Sequence, residues 1–202
     1  YSITLSNQKI VNAAAQNPSL TGMGTTITSL LLSRDTAYLA HVGDSRAYLF
    51  RSGTLKQITA DHSYVAEQIK AGRLTPEQAR TNPYRHVITR AVGIDREVAV
   101  DHATLALQKD DTFLLCTDGL TELVENGDIA AVLARTTPQA VVEELIRLAN
   151  ERGGVDNITA VPEPATLVLA VMGFAALMCR FAGRPRLRRP ARQLCPSPLV
   201  ST

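Results

Sequence analysis

The stretch LLCTDGL, residues 114–120, ends an apolar run with a carboxylate and a glycine, Asp118 and Gly119. An Asp-Gly pair between apolar segments is typical of a two-residue β-hairpin turn. The alternative is that Asp118 stands at the end of a rigid strand to hold a metal ion. This one Asp-Gly pair does not distinguish a turn from a metal ligand, so the decision depends on the rest of the chain.

The composition fits one globular domain with an aliphatic core, since 45% of the 202 residues are hydrophobic, with no Trp and four Phe. The formal charge of +2 is unevenly placed. Six arginines follow residue 179, and without them 15 basic residues face 19 acidic ones, a charge of −4. Such an acidic body argues against nucleic-acid binding, which depends on clustered cations. The three cysteines have neither metal-site spacing nor a disulfide-framework number, and Cys116 is expected to be a small buried hydrophobe.

The hydrophobic pattern predicts an α+β domain with antiparallel strands. Residues 3–17 have a helical pattern that Pro18 ends, with an apolar face of Ile3, Ile10, Val11, Ala14 and Ala15. Short strands run from Thr25 to Thr59 with turns at Arg34-Asp35, Gly43-Asp44 and Ser52-Gly53, which favours antiparallel hairpins. Residues 63–81 are helical and polar, with Thr75-Pro76 opening a second helix. The later segments comprise two strands (97–107 and 111–117), three helices (120–126, 127–135 and 137–154) and a final strand (157–161).

Three carboxylates stand at turns beside apolar strands: Asp44 after YLAHVG, Asp118 after FLLCT and Asp156 before NITAV. Each is explained individually as a turn former, because Asp is a preferred turn residue. Mg²⁺ and Mn²⁺, however, prefer several carboxylate oxygens with water in the remaining positions. Acids at one edge of packed sheets are one way to build such a site. Composition and spacing leave both alternatives open.

Six motifs carry a family resemblance that covers residues 3 to 161. In chain order they are MGTT (23–26), VGDSRAYL (42–49), DHS (61–63), ITRAVG (88–93), CTDGLTE (116–122) and DNIT (156–159). Together they resemble the bacterial metal-dependent serine/threonine protein phosphatases of type 2C. The resemblance implies an antiparallel β-sandwich flanked by helices, lacking the family's first strands, with a two-metal centre at one end of the sandwich.

In that family a water that bridges two Mn²⁺ or Mg²⁺ ions attacks the phosphorus of phosphoserine or phosphothreonine on proteins. The resemblance makes Asp118 and Asp156 catalytic metal ligands, with Gly119 supporting the site beside Asp118. It assigns Asp44 to a third, looser metal position, to which Glu122 also contributes in some members; a solvated Glu at a helix start is the alternative. The implied partners are phosphoproteins, including those of bacterial Ser/Thr kinases, whereas the substrate-binding residues are not indicated.

Other motif residues are expected to be structural. Arg46 and Arg90 are expected to pair with acids or cap carbonyls, and His41 to be packed within a strand. His62 is expected to make a local hydrogen bond in its DHS turn. Residues 61–92 resemble the family's flap segment near the active site, which is a place for substrate selection.

Members of the family carry an earlier Asp-Gly motif whose aspartate bridges both metal ions, followed by a histidine that protonates the leaving group. Neither occurs in these 202 residues, which begin at Tyr1 within the pattern of the following helix. We therefore expect hydrolysis to be crippled in the chain as written. The alternative is an inactive phosphatase-fold module that binds phosphoproteins or another partner.

The end of the chain has a different composition. Pro162 and Pro164 are expected to interrupt the last strand, and residues 161–189 resemble a PEP-CTERM sorting tail. Residues 165–183 include one charge, Arg180, and would extend about 28 Å as a helix, enough for a bilayer core. The sequence thus predicts three parts: a partial phosphatase domain (1–161), a Pro-bounded apolar segment (162–183) and a disordered Arg/Pro-rich tail (184–202).

Residues 164–183 are a candidate single-pass membrane anchor, with a core helix or a disordered appendage as alternatives. Arginines after the span favour a cytoplasmic C-terminus, which would place the phosphatase domain outside the cytoplasm. The phosphatase resemblance instead implies a cytoplasmic domain that acts opposite Ser/Thr kinases. A frameshifted or chimeric gene would explain both the conflict and the departures at the two ends.

Overall fold

In a computed structural model the described residues are 2–135, 138–154 and 156–164. The helices are α1 (Ser2–Gln16), α2 (Tyr64–Lys70), α3 (Pro76–Arg80), α4 (Asp118–Thr121), α5 (Asn126–Leu133) and α6 (Pro138–Glu151), with a short 3-10 helix at Pro18–Leu20. The strands are β1 (Ile27–Ser33), β2 (Thr36–Val42), β3 (Arg46–Arg51), β4 (Thr54–Gln57), β5 (Asp101–Ala106), β6 (Thr112–Cys116) and β7 (Ala160–Pro164). The predicted span and tail, residues 165–202, lie outside the described part. Within that part, none of the helices combines the length and the apolar composition of a membrane-spanning segment.

The strands form two antiparallel sheets, which confirms the predicted sandwich. One sheet has the order β1-β2-β5 and the other has the order β4-β3-β6-β7. The β1–β2 and β3–β4 hairpins turn at Arg34 and Ser52, each with a φ of 51°.

The hairpin predicted at Gly43-Asp44 is wrong, because β2 and β3 belong to different sheets and the chain changes layer between them. Gly43 permits this with a φ of 119°, where side chains are rarely tolerated and where a Cβ would overlap the side chain of Thr26.

Two hydrophobic cores share strand β6. Phe113 and Leu115 face the first sheet in the sandwich interior, where they cluster with Leu30 and Leu39 of that sheet and with Leu49 of β3. The alternate residues of β6 face the other way, against helices α4 to α6; this second core includes Leu114, Cys116, Leu120, Ile129 and Leu145. Because β6 is covered on both faces, its sequence is a continuous apolar run rather than an alternating one. Burial raises the pKa of the Cys116 thiol to about 12, in agreement with its predicted role as a buried hydrophobe.

Helix α1 is attached by a buried polar residue in addition to the predicted apolar face, of which Ile10 lies against Gly93. Its buried side chain is Asn7, whereas Ile3, Ile10 and Val11 remain partly exposed. The Asn7 amide donates to the carbonyl oxygens of Asp95 and Arg96 at 2.9 and 3.2 Å and accepts from Gly93 N at 2.7 Å. One amide thus satisfies three backbone groups of the loop before β5.

The last strand continues through both prolines, so the predicted interruption is wrong. Pro162 lies opposite Leu114 and Pro164 opposite Thr112 in the β6–β7 ladder. Among the described strands, β7 is at the edge of its sheet, where alternate residues direct their amides away from the ladder. Two prolines spaced two residues apart therefore cost the ladder no hydrogen bond.

Candidate functional site

The three candidate carboxylates lie around one end of the four-stranded sheet. In the ladders, Arg46 at the start of β3 pairs with Cys116 at the end of β6, and Cys116 pairs with Ala160 at the start of β7. Asp44, Asp118 and Asp156 stand respectively two residues before β3, two after β6 and four before β7. Antiparallel pairing thus brings three acids that are distant in sequence to the same edge.

The Asp-Gly pair begins helix α4 and does not form a hairpin. Asp118 Oδ1 accepts the Gly119 N–H at 2.9 Å, and Asp156 Oδ1 accepts the Asn157 N–H at 2.7 Å. A Cβ on Gly119 would lie 2.5 Å from the Asn157 carbonyl oxygen and 3.5 Å from the Asp156 Cβ. Glycine is therefore required where the Asp118 segment meets the Asp156 segment.

Thr117 joins the same two segments. Its N–H donates to the Thr159 carbonyl at 3.1 Å, and its hydroxyl donates to the Asn157 carbonyl at 3.2 Å. The Thr159 N–H donates back to the Thr117 hydroxyl at 3.2 Å. The segment that carries the exposed Asp156 is thus held against the end of β6.

Asp44 is the most buried of the three carboxylates, with 8% of its surface exposed. Burial, followed by the charges of Asp118 and Asp61, raises the pKa of Asp44 from 3.8 to about 7. Its Oδ1 atom is buried without a hydrogen-bond partner in the described structure. A buried oxygen with no donor, beside a second carboxylate, is an arrangement that a cation would stabilise.

Arg46 does not compensate Asp44 fully, because it is engaged by Asp61, as the sequence predicted for an arginine that pairs with an acid. Its Nε lies 3.0 and 2.9 Å from the two Asp61 oxygens, and its Nη2 lies 2.6 Å from Oδ2. Burial opposes the charged guanidinium, but the bonds to Asp61 raise the pKa of Arg46 above its ordinary value. Asp61 contributes to the field at Asp44 yet was not among the predicted site residues; its place in the DHS motif was the available signal.

His62 is hydrogen-bonded, but the prediction of a local bond within its own turn is wrong. Its Nδ1 accepts the Gly43 N–H at 2.9 Å, and its Nε2 lies 3.1 Å from Asp101 Oδ2. Arg90 Nη1 donates to Asp101 Oδ1 at 2.6 Å, as predicted for an arginine paired with an acid. The buried His41 stacks on the His62 ring with centroids 4.9 Å apart, and burial lowers the pKa of His41.

Glu122 points to the flap-like segment. Its Oε1 lies 2.6 Å from Nδ1 of His86, which connects the region after Asp118 to residues 61–92. This contact gives Glu122 a partner other than a cation. Its assignment as a further metal ligand stays a prediction.

The site supplies a small set of metal ligands. Among the described residues, no group of three or more His, Cys, Asp and Glu is close enough to hold a metal ion. Asp44 and Asp118 nevertheless interact, and Asp156 lies beside Gly119. Mg²⁺ in proteins commonly binds one or two carboxylates and keeps several waters. The carboxylates present fit a partly hydrated cation of this kind, consistent with the unpartnered oxygen of Asp44.

Comparison with known proteins places the chain in a family. The model for protein phosphatase 2C matches residues 2–68, and the model for stage II sporulation protein E matches residues 69–161. The structure of the serine/threonine phosphatase of S. agalactiae is 41% identical, with a TM-score of 0.75, over 80% of this chain and 67% of that one. The chain belongs to the protein phosphatase 2C family.

Other type 2C relatives are similar to the same region. Protein phosphatase PhpP of Streptococcus pneumoniae is 40% identical over 158 residues, which are 78% of this chain and 64% of the relative. The catalytic domain of the phosphatase PstP, in complex with two manganese ions, has a TM-score of 0.71 and 37% identity over 77% of this chain and 65% of that domain. The chain thus spans about two thirds of the length of these type 2C proteins. The PEP-CTERM protein-sorting motif matches residues 160–189, which confirms the resemblance of the tail.

Proposed function

We propose that this chain hydrolyses phosphoserine and phosphothreonine on proteins, with Mn²⁺ or Mg²⁺ bound by Asp44, Asp118 and Asp156. One observation carries the proposal: three acids lie at one edge of the four-stranded sheet, and one buried oxygen of Asp44 has no hydrogen-bond partner among the described residues. Relatives up to 41% identical named as serine/threonine phosphatases support the choice of reaction.

The proposed division of labour follows from the positions of the three acids. Asp156 lies beside Gly119, the residue after Asp118, and Asp118 and Asp156 would hold the two core ions; two ions are in keeping with the PstP complex. Asp44, whose charge interacts with that of Asp118, would complete a third position. Divalent cations there would neutralise charge on the phosphoryl oxygens and lower the pKa of the attacking water. The protein's own contribution is to hold the carboxylates in place before metal binds.

Weak metal binding is part of the proposal. Since no three potential ligands cluster within the described residues, an ion would keep most of its coordination positions on water. We therefore expect this 202-residue chain to need high concentrations of Mn²⁺ and to hydrolyse its substrate slowly. The same observation favours a second function, a phosphoprotein-binding module without hydrolysis.

Phosphate release from a phosphothreonine peptide, measured while Mn²⁺ is titrated, tests the proposal. Asp118→Asn should abolish any Mn²⁺-dependent release, because it replaces a charged ligand with a neutral one. Asp110→Asn is the matched control, since it makes the same change at an exposed turn and should leave release unchanged.

The two functions differ in a second measurement on the same samples. Binding of the phosphopeptide by the wild type without any Mn²⁺-dependent release would establish the binding module instead of the enzyme. Release that persists in Asp118→Asn at saturating Mn²⁺ would contradict the assignment of Asp118.

The partners proposed are phosphoproteins that bacterial Ser/Thr kinases modify, and the proposed location of the phosphatase domain is the cytoplasm. Membrane attachment through residues 164–183 is a separate proposal, and all but the first of those residues lie outside the described part. The PEP-CTERM match supports it.

A further inference from the structure

His62 holds the Gly43 peptide from two sides. Its ring Nδ1 accepts the Gly43 N–H at 2.9 Å, and its own backbone N–H donates to the Gly43 carbonyl at 2.7 Å. Its carbonyl in turn accepts the Thr89 N–H at 2.8 Å. Since 6% of His62 is exposed, water does not compete readily for these bonds.

The partners of the two ring nitrogens of His62 determine which tautomer is present. A neutral imidazole has one donor and one acceptor nitrogen, and Nδ1 faces a backbone donor. The ring proton therefore belongs on Nε2, where Asp101 Oδ2 accepts it at 3.1 Å. Arg90 Nη1 also lies 2.9 Å from Nε2 and can only donate, so Arg90 by itself favours the tautomer with the proton on Nδ1. The Asp101 carboxylate opposes this because it accepts a proton from Nε2. Asp101 thus keeps Nδ1 free to accept from Gly43.

Gly43 connects this arrangement to the candidate site. Its φ of 119° aims the chain from β2 into β3, and Asp44 is the next residue. Among the described residues, one oxygen of the buried Asp44 carboxylate has no hydrogen-bond partner, so its own hydrogen bonds fix its position only in part. The backbone before Asp44 must supply the rest.

We propose that His62 is a positioning residue: through its Nδ1 bond to Gly43, set by Asp101, it fixes the turn that presents Asp44 to a divalent cation. The cation part of this inference rests on the proposed function, whereas the positioning of Gly43 does not. His62 itself touches neither cation nor substrate.

The test uses two substitutions, each of which places a polar side-chain atom near the position of one of the two ring nitrogens. In His62→Asn the side-chain oxygen can stand near the place of Nδ1, whereas in His62→Gln the amide reaches the place of Nε2. His102→Asn, on the exposed side of β5, is the matched control. Two quantities are measured on the full chain: hydrogen exchange of the Gly43 amide by ¹⁵N NMR, and Mn²⁺ affinity by calorimetry.

We expect His62→Asn and His102→Asn to retain slow Gly43 exchange and Mn²⁺ affinity within a few-fold of the wild type. His62→Gln should accelerate Gly43 exchange and weaken Mn²⁺ binding, each by about tenfold, the effect of one lost hydrogen bond. Equal behaviour of the Asn and Gln variants, or unchanged Gly43 exchange in His62→Gln, would overturn the proposal.

Asp101→Ala keeps the inference testable if His62→Gln does not fold, since Asp101 is 48% exposed at its side chain. Without Asp101, the Arg90 donor should move the ring proton to Nδ1 and break the bond to Gly43. Faster Gly43 exchange is expected, and unchanged exchange would refute the role of Asp101. If the wild type binds no Mn²⁺, the proposed function fails, while Gly43 exchange still decides whether His62 positions the turn.

Discussion

Replacing Asp44 by Asn is expected to stabilise the metal-free protein at neutral and alkaline pH while weakening its binding of divalent cations. The carboxylate is 8% exposed, and burial together with Asp118 and Asp61 raises its pKa from 3.8 to about 7. Between these two values the unfolded chain releases the proton and the folded chain retains it. Folding stability therefore falls as the pH rises from about 4 to about 7, and the full loss persists above that.

The size of the effect follows from the two pKa values. At about 1.4 kcal/mol for each tenfold difference in proton affinity, a rise from 3.8 to about 7 corresponds to about 4 kcal/mol. Relaxation of the site will reduce this value, so we expect a gain of about 2–4 kcal/mol for Asp44→Asn above pH 7.5. Near pH 4 the folded Asp44 carboxyl is neutral, as the Asn amide is, and the unfolded carboxyl is about half ionised, so the gain should fall to about 1 kcal/mol or less.

Urea unfolding in EDTA at pH 4.5 and pH 8 measures the free energy of unfolding directly. Asp110→Asn, at an exposed turn, is the control for the loss of one negative charge. Addition of Mn²⁺ at about 100 times its dissociation constant should stabilise the wild type by about 2.7 kcal/mol and the Asp44→Asn variant by less. A variant that is no more stable than the wild type at pH 8 in EDTA, or a gain that does not change with pH, would refute the reasoning.

Two further predictions concern the Gly119 contact and the tail. Gly119→Ala places a Cβ 2.5 Å from the Asn157 carbonyl oxygen, so we expect it to lower the free energy of unfolding by about 1–3 kcal/mol and to weaken Mn²⁺ binding. At Gly127 an added Cβ would have no atom of the described residues within 4 Å, so Gly127→Ala should instead be neutral or stabilising by up to about 1 kcal/mol. Equal thermal unfolding of the two variants would contradict the close-contact argument. If residues 164–183 span a membrane, the full chain should sediment with membranes and resist carbonate extraction, whereas a chain cut after Pro164, where β7 ends, should not. Recovery of the full chain in the supernatant would instead indicate an unanchored tail.

Elements that depend on local pattern could be predicted well. The run FLLC predicts a strand, and its lack of alternation follows from burial on both faces of β6. Thr75 and Pro76 predict the start of α3, where Thr75 accepts the Gln78 N–H and the Gln78 side chain accepts the Thr75 N–H. These features depend on residues within a few positions of one another, and local sequence therefore carries the information.

The positions of the three acids could be predicted only in part. The sequence shows that Asp44, Asp118 and Asp156 stand at turns, and the family resemblance indicates that they act together. Their common edge arises from the pairing of β3 with β6 and of β6 with β7, which joins segments more than 40 residues apart. Strand order depends on which apolar faces can be buried together, and no single window of sequence records that choice.

The surroundings of Asp44 were the least predictable feature. His62 has a place in a recognisable motif, yet its partners are Gly43, which precedes it by 19 residues, and Asp101, which follows it by 39. The hairpin expected at Gly43 assumed that consecutive strands pair, whereas β2 and β3 enter different sheets. The sequence determines the residue types and the short-range geometry, but the burial of Asp44 and the electrostatic field there arise from segments that meet only in the tertiary structure. The raised pKa of Asp44 depends on that burial and on Asp118 and Asp61, and the turn before it depends on His62; these residues are all distant from it in sequence.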